Sequence, residues 1–162
     1  MNETSTSSPR LDAVDRRLLN LLQEDAWVTN QTLAERAHLS APTCLRRVRR
    51  LMEAGVIERT IAIVAPEKVA PMLTAIVEVT LERQGAEHLD AFEALIRDEP
   101  AVQQCYRVSP GPDFVLIVVV PDMPAYHALM HRLFTAQANV RNVRSFFAVK
   151  RSKFAPRVPL PQ

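Results

Sequence analysis

Between Ser40 and Met52 the chain carries four arginines and no carboxylate, in the stretch SAPTCLRRVRRLMEAG at residues 40–55. Wound as a helix, Thr43, Arg46, Arg47 and Arg50 fall within one arc of about 100°. Cys44, Leu45, Val48, Leu51 and Met52 fill the opposite side. Such a helix must bury its apolar side and turn its cationic side outward. Its ends are marked: Ser40 suits the N-cap, Pro42 sits where a missing N–H is harmless, and Gly55 can adopt the left-handed C′ conformation. A cationic face with no carboxylate of its own suits phosphates and guanine edges, and the plain alternative is a solvated surface.

The context favours nucleic acid. Residues 29–37 read as a short helix capped by Thr29 or Asn30, and His38, Leu39 and Ser40 form a tight link to the basic helix. Helix, turn and basic helix make a helix-turn-helix unit. Leu11-Asp12, Asp15-Arg16, the Thr-Asn-x-x-Leu-Ala run at 29–34, Leu39-Ser40 and the pattern Cys44-Leu45-x-Arg47-Val48-x-x-Leu51-x-x-x-Gly55-Val56-Ile57 resemble the Lrp/AsnC family of bacterial and archaeal transcription regulators. The candidate DNA-contacting residues are Ser40, Pro42, Thr43, Arg46, Arg47 and Arg50, joined by Arg59 beyond the helix.

The net charge of +2 adds little to this. Residues 1–65 carry nine Lys/Arg against eight Asp/Glu, residues 66–143 six against ten, and residues 144–162 five against none, so the case for DNA rests on local clustering. With 48% hydrophobic residues the chain is expected to be globular. Its longest apolar run, Phe114–Val120, falls far short of the ~20 residues that span a bilayer. The first ten residues are polar, and Cys44 and Cys105 show neither metal-ligand spacing nor a disulfide framework. A cytoplasmic, nucleoid-associated protein is the expectation, with no membrane partner.

In chain order, residues 1–10 are expected to be a disordered lead, and residues 11–65 a winged helix-turn-helix domain. Its first helix should run over 12–24 with Asp12 as cap and Val14, Leu18, Leu21 and Leu22 at core spacing. Trp27 is expected to plug the join between the first two helices. Residues 56–64 alternate well enough for a strand, which would form a wing or a connector. Residues 66–71, PEKVAP, mark a linker, because two prolines five apart suit neither helix nor central strand.

Residues 72–150 change rhythm. A strand is expected over 74–82 with Ala75, Val77, Val79 and Leu81 on one face, a helix over 87–98, strands over 102–108 and 114–120, a helix carrying Tyr126, Leu129, Met130, Leu133 and Phe134, and a last strand over 143–150. Phe114–Val120 lacks alternation and is expected to be central and covered on both sides. The order βαββαβ is ferredoxin-like, so the fold class is α+β. Residues 151–162, basic and proline-rich, should fray as a flexible tail.

Two helices on one face of a four-stranded sheet leave the other face open, and a second copy can cover it. The family resemblance implies a homodimer that associates into tetramers or octamers, a small effector of amino-acid type at an interface, and two recognition helices reading a pseudo-palindrome in double-stranded DNA. It also implies that Gly111, Asp113, Met123, Phe147 and Ala148 shape the effector site. The family's hairpin typically reads Ser/Thr-Gly-x-x-Asp-Tyr, whereas this chain has Ser109-Pro110-Gly111-Pro112-Asp113-Phe114, with proline in the usual glycine place. That proline removes an N–H and displaces any backbone donor toward Gly111. Asp113 reads equally as an effector ligand or as a turn residue bonding its own backbone.

Catalytic signals are weak: there is no Gly-rich phosphate loop, nucleophile elbow or CxxC. His127 and His131 have helical metal spacing but no third ligand nearby, and read as surface histidines. The expectation is a regulator that is no enzyme and holds no cofactor or metal. The alternatives are a sirohaem-type decarboxylase, which some relatives of this architecture are, and a nucleoid-structuring DNA-binding protein.

Overall fold

The computed structural model describes residues 10–135, 137 and 139–160. Of the lead expected over residues 1–10, residues 1–9 lie outside that range. The described residues form two units, one from residues 10–63 together with residues 154–160, the other within Val64–Lys153.

The first unit contains α1 (Ala13–Glu24), α2 (Asn30–Ala37) and α3 (Ala41–Glu53). Asp12 caps α1, accepting from the Asp15 N–H at 2.8 Å, while the Asp15 carboxylate accepts from the Asp12 N–H at 3.2 Å. Thr29 caps α2 by accepting from the Thr32 N–H at 3.1 Å. His38 takes the left-handed conformation, φ 57°, and turns the chain toward α3. Ser40 holds the cap position of α3, but its hydroxyl donates to Thr43 Oγ1 at 2.8 Å rather than accepting from the backbone. At the far end Gly55, φ 69°, lets the Val56 N–H reach Leu51 O and its own N–H reach Met52 O, closing a Schellman motif. Leu18, Leu33, Ala34, Ala37 and Cys44 form the core, lined by Val14, Leu21, Leu22 and Val48.

Three features differ from the sequence expectation. Trp27 is 86% exposed and plugs nothing. Residues 56–64 pair with no strand and form the connector, with Ile61 and Ile63 exposed. The tail, expected to fray, is tied down at residues 157 and 158: Gln23 Nε2 donates to Val158 O at 3.2 Å, the Val158 N–H donates back to Gln23 Oε1 at 2.6 Å, and Arg157 pairs with Glu24 at 3.1 Å. The side-chain amide of Gln23 thus offers residue 158 the donor and acceptor that a neighbouring strand would.

The second unit contains β1 (Leu73–Leu81), α4 (Ala86–Arg97), β2 (Val102–Arg107), β3 (Phe114–Val120), α5 (Met123–Met130) and β4 (Val140–Phe147). A short 3₁₀ turn, Pro66–Lys68, occupies part of the expected linker, and a π-helical turn, His131–Thr135, extends α5. The antiparallel sheet has the order β2-β3-β1-β4, so β1 and β3 are central. Ala75, Val77, Val79 and Leu81 share the buried face with Phe114, Leu116, Val118 and Val120, and on it Phe92 and Ile96 of α4 and Tyr126, Leu129, Leu133 and Phe134 pack. This is the expected βαββαβ arrangement.

The strand β4 begins three residues earlier than its sequence suggests. Asn139 exchanges bonds with the backbone of Arg83, and Val140 pairs with Leu81. By Val149 the chain has left the sheet and is fully exposed. The expected double covering of β3 is met on one face only, since Val115, Ile117 and Val119 on the other are half-buried.

Candidate nucleic-acid interface and effector site

Helix α3 buries Cys44 and Leu51, which fixes its outward side. Pro42, Arg46, Arg49 and Arg50 are exposed and Thr43 is half-buried. Leu45 and Met52, expected on the buried side, are about half exposed at 50% and 52%. At 100° per residue Arg49 lies about 60° from Arg46, on the flank away from Arg47, so the outward arc runs from Arg49 through Arg46 to Arg50. Arg49 is absent from the residues singled out by sequence, although helical spacing alone could have found it.

Arg47 is a different case. Its Nη1 donates to Asp12 Oδ2 at 2.7 Å and to Asp15 Oδ1 at 2.9 Å, and its side chain is 25% exposed. Arg50 Nη2 reaches Asp15 Oδ2 at 2.6 Å while its side chain stays 56% exposed. Asp15 is itself fully buried, so both of its oxygens are spent on α3 and on the cap of α1. Arg47 therefore turns to α1, where its guanidinium is the counter-charge that a buried carboxylate needs. The bond from Arg47 is the chief cause that holds the Asp12 carboxyl down to about 2, and the same pairing raises Arg47 further.

Further contacts set the pose of α3. Asn30 Nδ2 donates to Ala41 O at 2.9 Å, tying the first residue of α2 to the first of α3, and Arg17 Nη1 donates to Ala37 O at 3.3 Å. Arg46, Arg49 and Arg59 have no ion-pair partner among the described residues. Arg59 is exposed on the connector beyond α3. Unpaired, outward cations on a helix whose tilt is fixed by a buried ion pair are what contact with a polyanion requires.

The five candidate effector residues do not meet within one chain. Gly111, φ 127°, and Asp113 lie in the β2–β3 hairpin, after the cis Ser109–Pro110 bond. The Asp113 N–H donates to Val79 O at 2.9 Å, and its Oδ2 accepts from the Leu81 N–H at 2.7 Å and from Gln84 Nε2 at 3.3 Å. Neither sequence alternative anticipated this bond to the end of β1. Met123, Phe147 and Ala148 lie at the other end of the sheet, where Phe147 pairs with Ala75 and the Ala148 N–H donates to Thr74 O. Leu81 lies six steps along β1 from Ala75, a span of about 20 Å.

Phe147 stands edge-on to Tyr126 at 5.0 Å, and Tyr126 bonds Ser145 through its hydroxyl. A cleft of about 340 Å³ opens elsewhere, beside α4, lined by Leu81, His88, Phe92, Leu95, Gln137 and Asn139 among others. None of the five candidates lines it.

Comparison with known proteins bears on both units. The family model described as Lrp/AsnC ligand binding domain matches residues 74–158, and the one described as winged helix-turn-helix DNA-binding matches residues 11–58. The chain is 37% identical over 150 residues to the leucine-responsive regulatory protein of Rhizobium meliloti, covering 93% of this chain and 96% of that one. It is 35% identical over 140 residues to the Bkd operon transcriptional regulator of Pseudomonas aeruginosa, covering 86% and 92%.

Among solved structures, an AsnC family transcriptional regulator from Agrobacterium tumefaciens superposes with a TM-score of 0.83 at 36% identity, covering 92% of this chain and 97% of that one. A transcriptional regulator from Neisseria meningitidis in complex with L-Met gives 0.82 at 31%, covering 93% and 97%.

Proposed function

This chain belongs to the Lrp/AsnC family of DNA-binding transcription regulators, and on that premise we propose that it reads a pseudo-palindromic operator as a homo-oligomer whose affinity for DNA is set by an amino-acid-type effector. It is a regulator and not an enzyme. Among the described residues no helix is long and apolar enough to cross a membrane.

The observation that carries the proposal is the outward arc of α3, where Arg46 and Arg49 are exposed without an ion-pair partner among the described residues while Arg47 is spent on Asp12 and Asp15. In the groove, Pro42, Thr43 and Arg46 address base edges from the first turns of α3, and Arg49, Arg50 and Arg59 meet flanking phosphates. Ser40 supports Thr43 through its hydroxyl bond. Arg47 acts indirectly, by holding the helix.

Assembly follows from the open sheet face, where Ile76, Ile117 and Phe146 are cross-strand neighbours. Apolar side chains so arranged favour a second copy over water. The effector belongs to the assembly too: Asp113 and Phe147 lie at opposite ends of one sheet, so residues from both ends can share a ligand only when different copies present them. The L-Met held by the Neisseria meningitidis relative supports the amino-acid class. A thermal-shift screen of the full chain against the common amino acids, followed by footprints with and without the hit, tests the proposal. A hit that changes the footprint supports it; no stabilisation by any amino acid sinks the effector part.

A further inference from the structure

Trp27 is 86% exposed, although an indole is among the side chains that gain most from burial. Its backbone is held in place. Its backbone N–H donates to Asp25 Oδ1 at 2.9 Å, and two residues on Thr29 caps α2. Asn30 then bonds Ala41 across to the start of α3. Trp27 is thus three residues from the point where the N-termini of α2 and α3 are joined, and the N-terminal turns of the second helix are the part of a helix-turn-helix that enters the groove. The nearby acids are occupied: Glu24 pairs with Arg157, and Asp25 faces the Trp27 N–H.

We propose that Trp27 is a DNA-backbone contact, its ring packing on a deoxyribose and its Nε1–H donating to a phosphate oxygen beside the bases that α3 addresses. The proposal rests on the DNA-binding reading of α3 and adds a residue of different chemistry to it. A neutral donor and an apolar ring displace no counterions and read no base edge. Trp27 therefore strengthens binding to every duplex alike and leaves the salt dependence to the arginines.

Trp27 is the only tryptophan in the chain, so its emission reports on this position alone. The full-length protein is titrated with an unlabelled mixed-sequence duplex while tryptophan emission is followed. In parallel, anisotropy of the same duplex carrying fluorescein reports binding itself. Emission should change along the anisotropy curve, and acrylamide should quench the complex less than the free protein. Trp27→Ala should weaken binding about tenfold, and Trp27→Phe, which keeps a ring and loses the donor, about threefold. Both should keep the wild-type slope of affinity against salt and the wild-type melting temperature.

Rising anisotropy with silent emission and unaltered variants would overturn the proposal and leave the DNA reading standing. Flat anisotropy would remove the DNA reading itself. Emission that follows protein concentration without DNA would assign Trp27 to a contact between copies, and so overturn the proposal as well.

Discussion

Arg47 of α3 and Asp15 of α1 meet at 2.9 Å, and Asp15 is fully buried while Arg47 keeps a quarter of its side chain in solvent. The pair sets Arg47 apart from Arg46 and Arg49, which face outward, while Arg50 does both, bonding Asp15 and staying 56% exposed. Arg47→Ala should lower the melting stability of the helical unit by about 2 kcal/mol, because it takes a charge-assisted bond from a buried carboxylate that retains Arg50. Arg46→Ala should leave melting unchanged and cost about 1–3 kcal/mol of operator affinity if Arg46 reads a base. Melts and anisotropy titrations of the two variants separate the roles; a loss of DNA affinity in Arg47→Ala with no loss of stability would return Arg47 to the groove.

The same cluster sets an acid response. Asp12 is held down to about 2 chiefly by its bond from Arg47, against about 3.9 for an unperturbed aspartate. A carboxyl depressed by folding adds stability that is complete above its unfolded value and disappears as pH falls through its folded value. The helical unit should therefore lose stability between about pH 4 and pH 2, and Asp12→Asn should flatten that part of the curve. Melts by far-UV dichroism at stepped pH measure both slopes. An equal slope in wild type and variant would mean that Asp12 is not linked to folding there. Asp12 is half exposed, so the effect is modest.

Periodicity made the elements legible and left their neighbours unread. The alternation of Ala75, Val77, Val79 and Leu81 is a local signal, and it marks the buried face of β1. The partner of Arg47 lies 32 residues away, and helical spacing states the angle of a side chain without stating what packs at that angle. Arg47 sits at the edge of the cationic arc, where one neighbouring acid decides its direction. Trp27 misleads for a related reason: composition favours burial of a lone indole, but here the indole is exposed on a turn whose backbone is bonded to Asp25. The tail looked mobile because prolines and cations form no core, whereas two reciprocal bonds from Gln23 hold Val158.

The open face of the sheet yields a test of assembly. Ile117 lies opposite Ile76 on a central strand, on the face opposite the one that α4 and α5 pack on. Ile117→Glu places a charge where a second copy would pack and disturbs the buried face little, because neighbouring strand residues point to opposite sides. Sedimentation should find the variant monomeric with wild-type dichroism. A variant of unchanged mass would place the assembly interface on another surface.

Asp113 carries the last and most divided expectation. Its carboxylate accepts from the Leu81 N–H at 2.7 Å and from Gln84 at 3.3 Å, so it ties the β2–β3 hairpin to the end of β1. Asp113→Ala strands that N–H and should cost about 1–3 kcal/mol of stability in the sheet unit. Asp113→Asn retains an oxygen acceptor for Leu81 and should melt close to wild type, so it isolates the charge. If that charge also pairs with the ammonium of an amino-acid effector, Asp113→Asn should weaken the effector by about 10- to 100-fold without changing DNA binding in its absence. Pro110→Gly complements it, because a backbone donor returns next to Gly111 and should tighten or broaden ligand binding. Calorimetry on wild type and the two variants, with whichever amino acid the thermal screen selects, decides between the roles. Unaltered affinity in Asp113→Asn beside a destabilised Asp113→Ala would leave Asp113 as a brace for the hairpin alone.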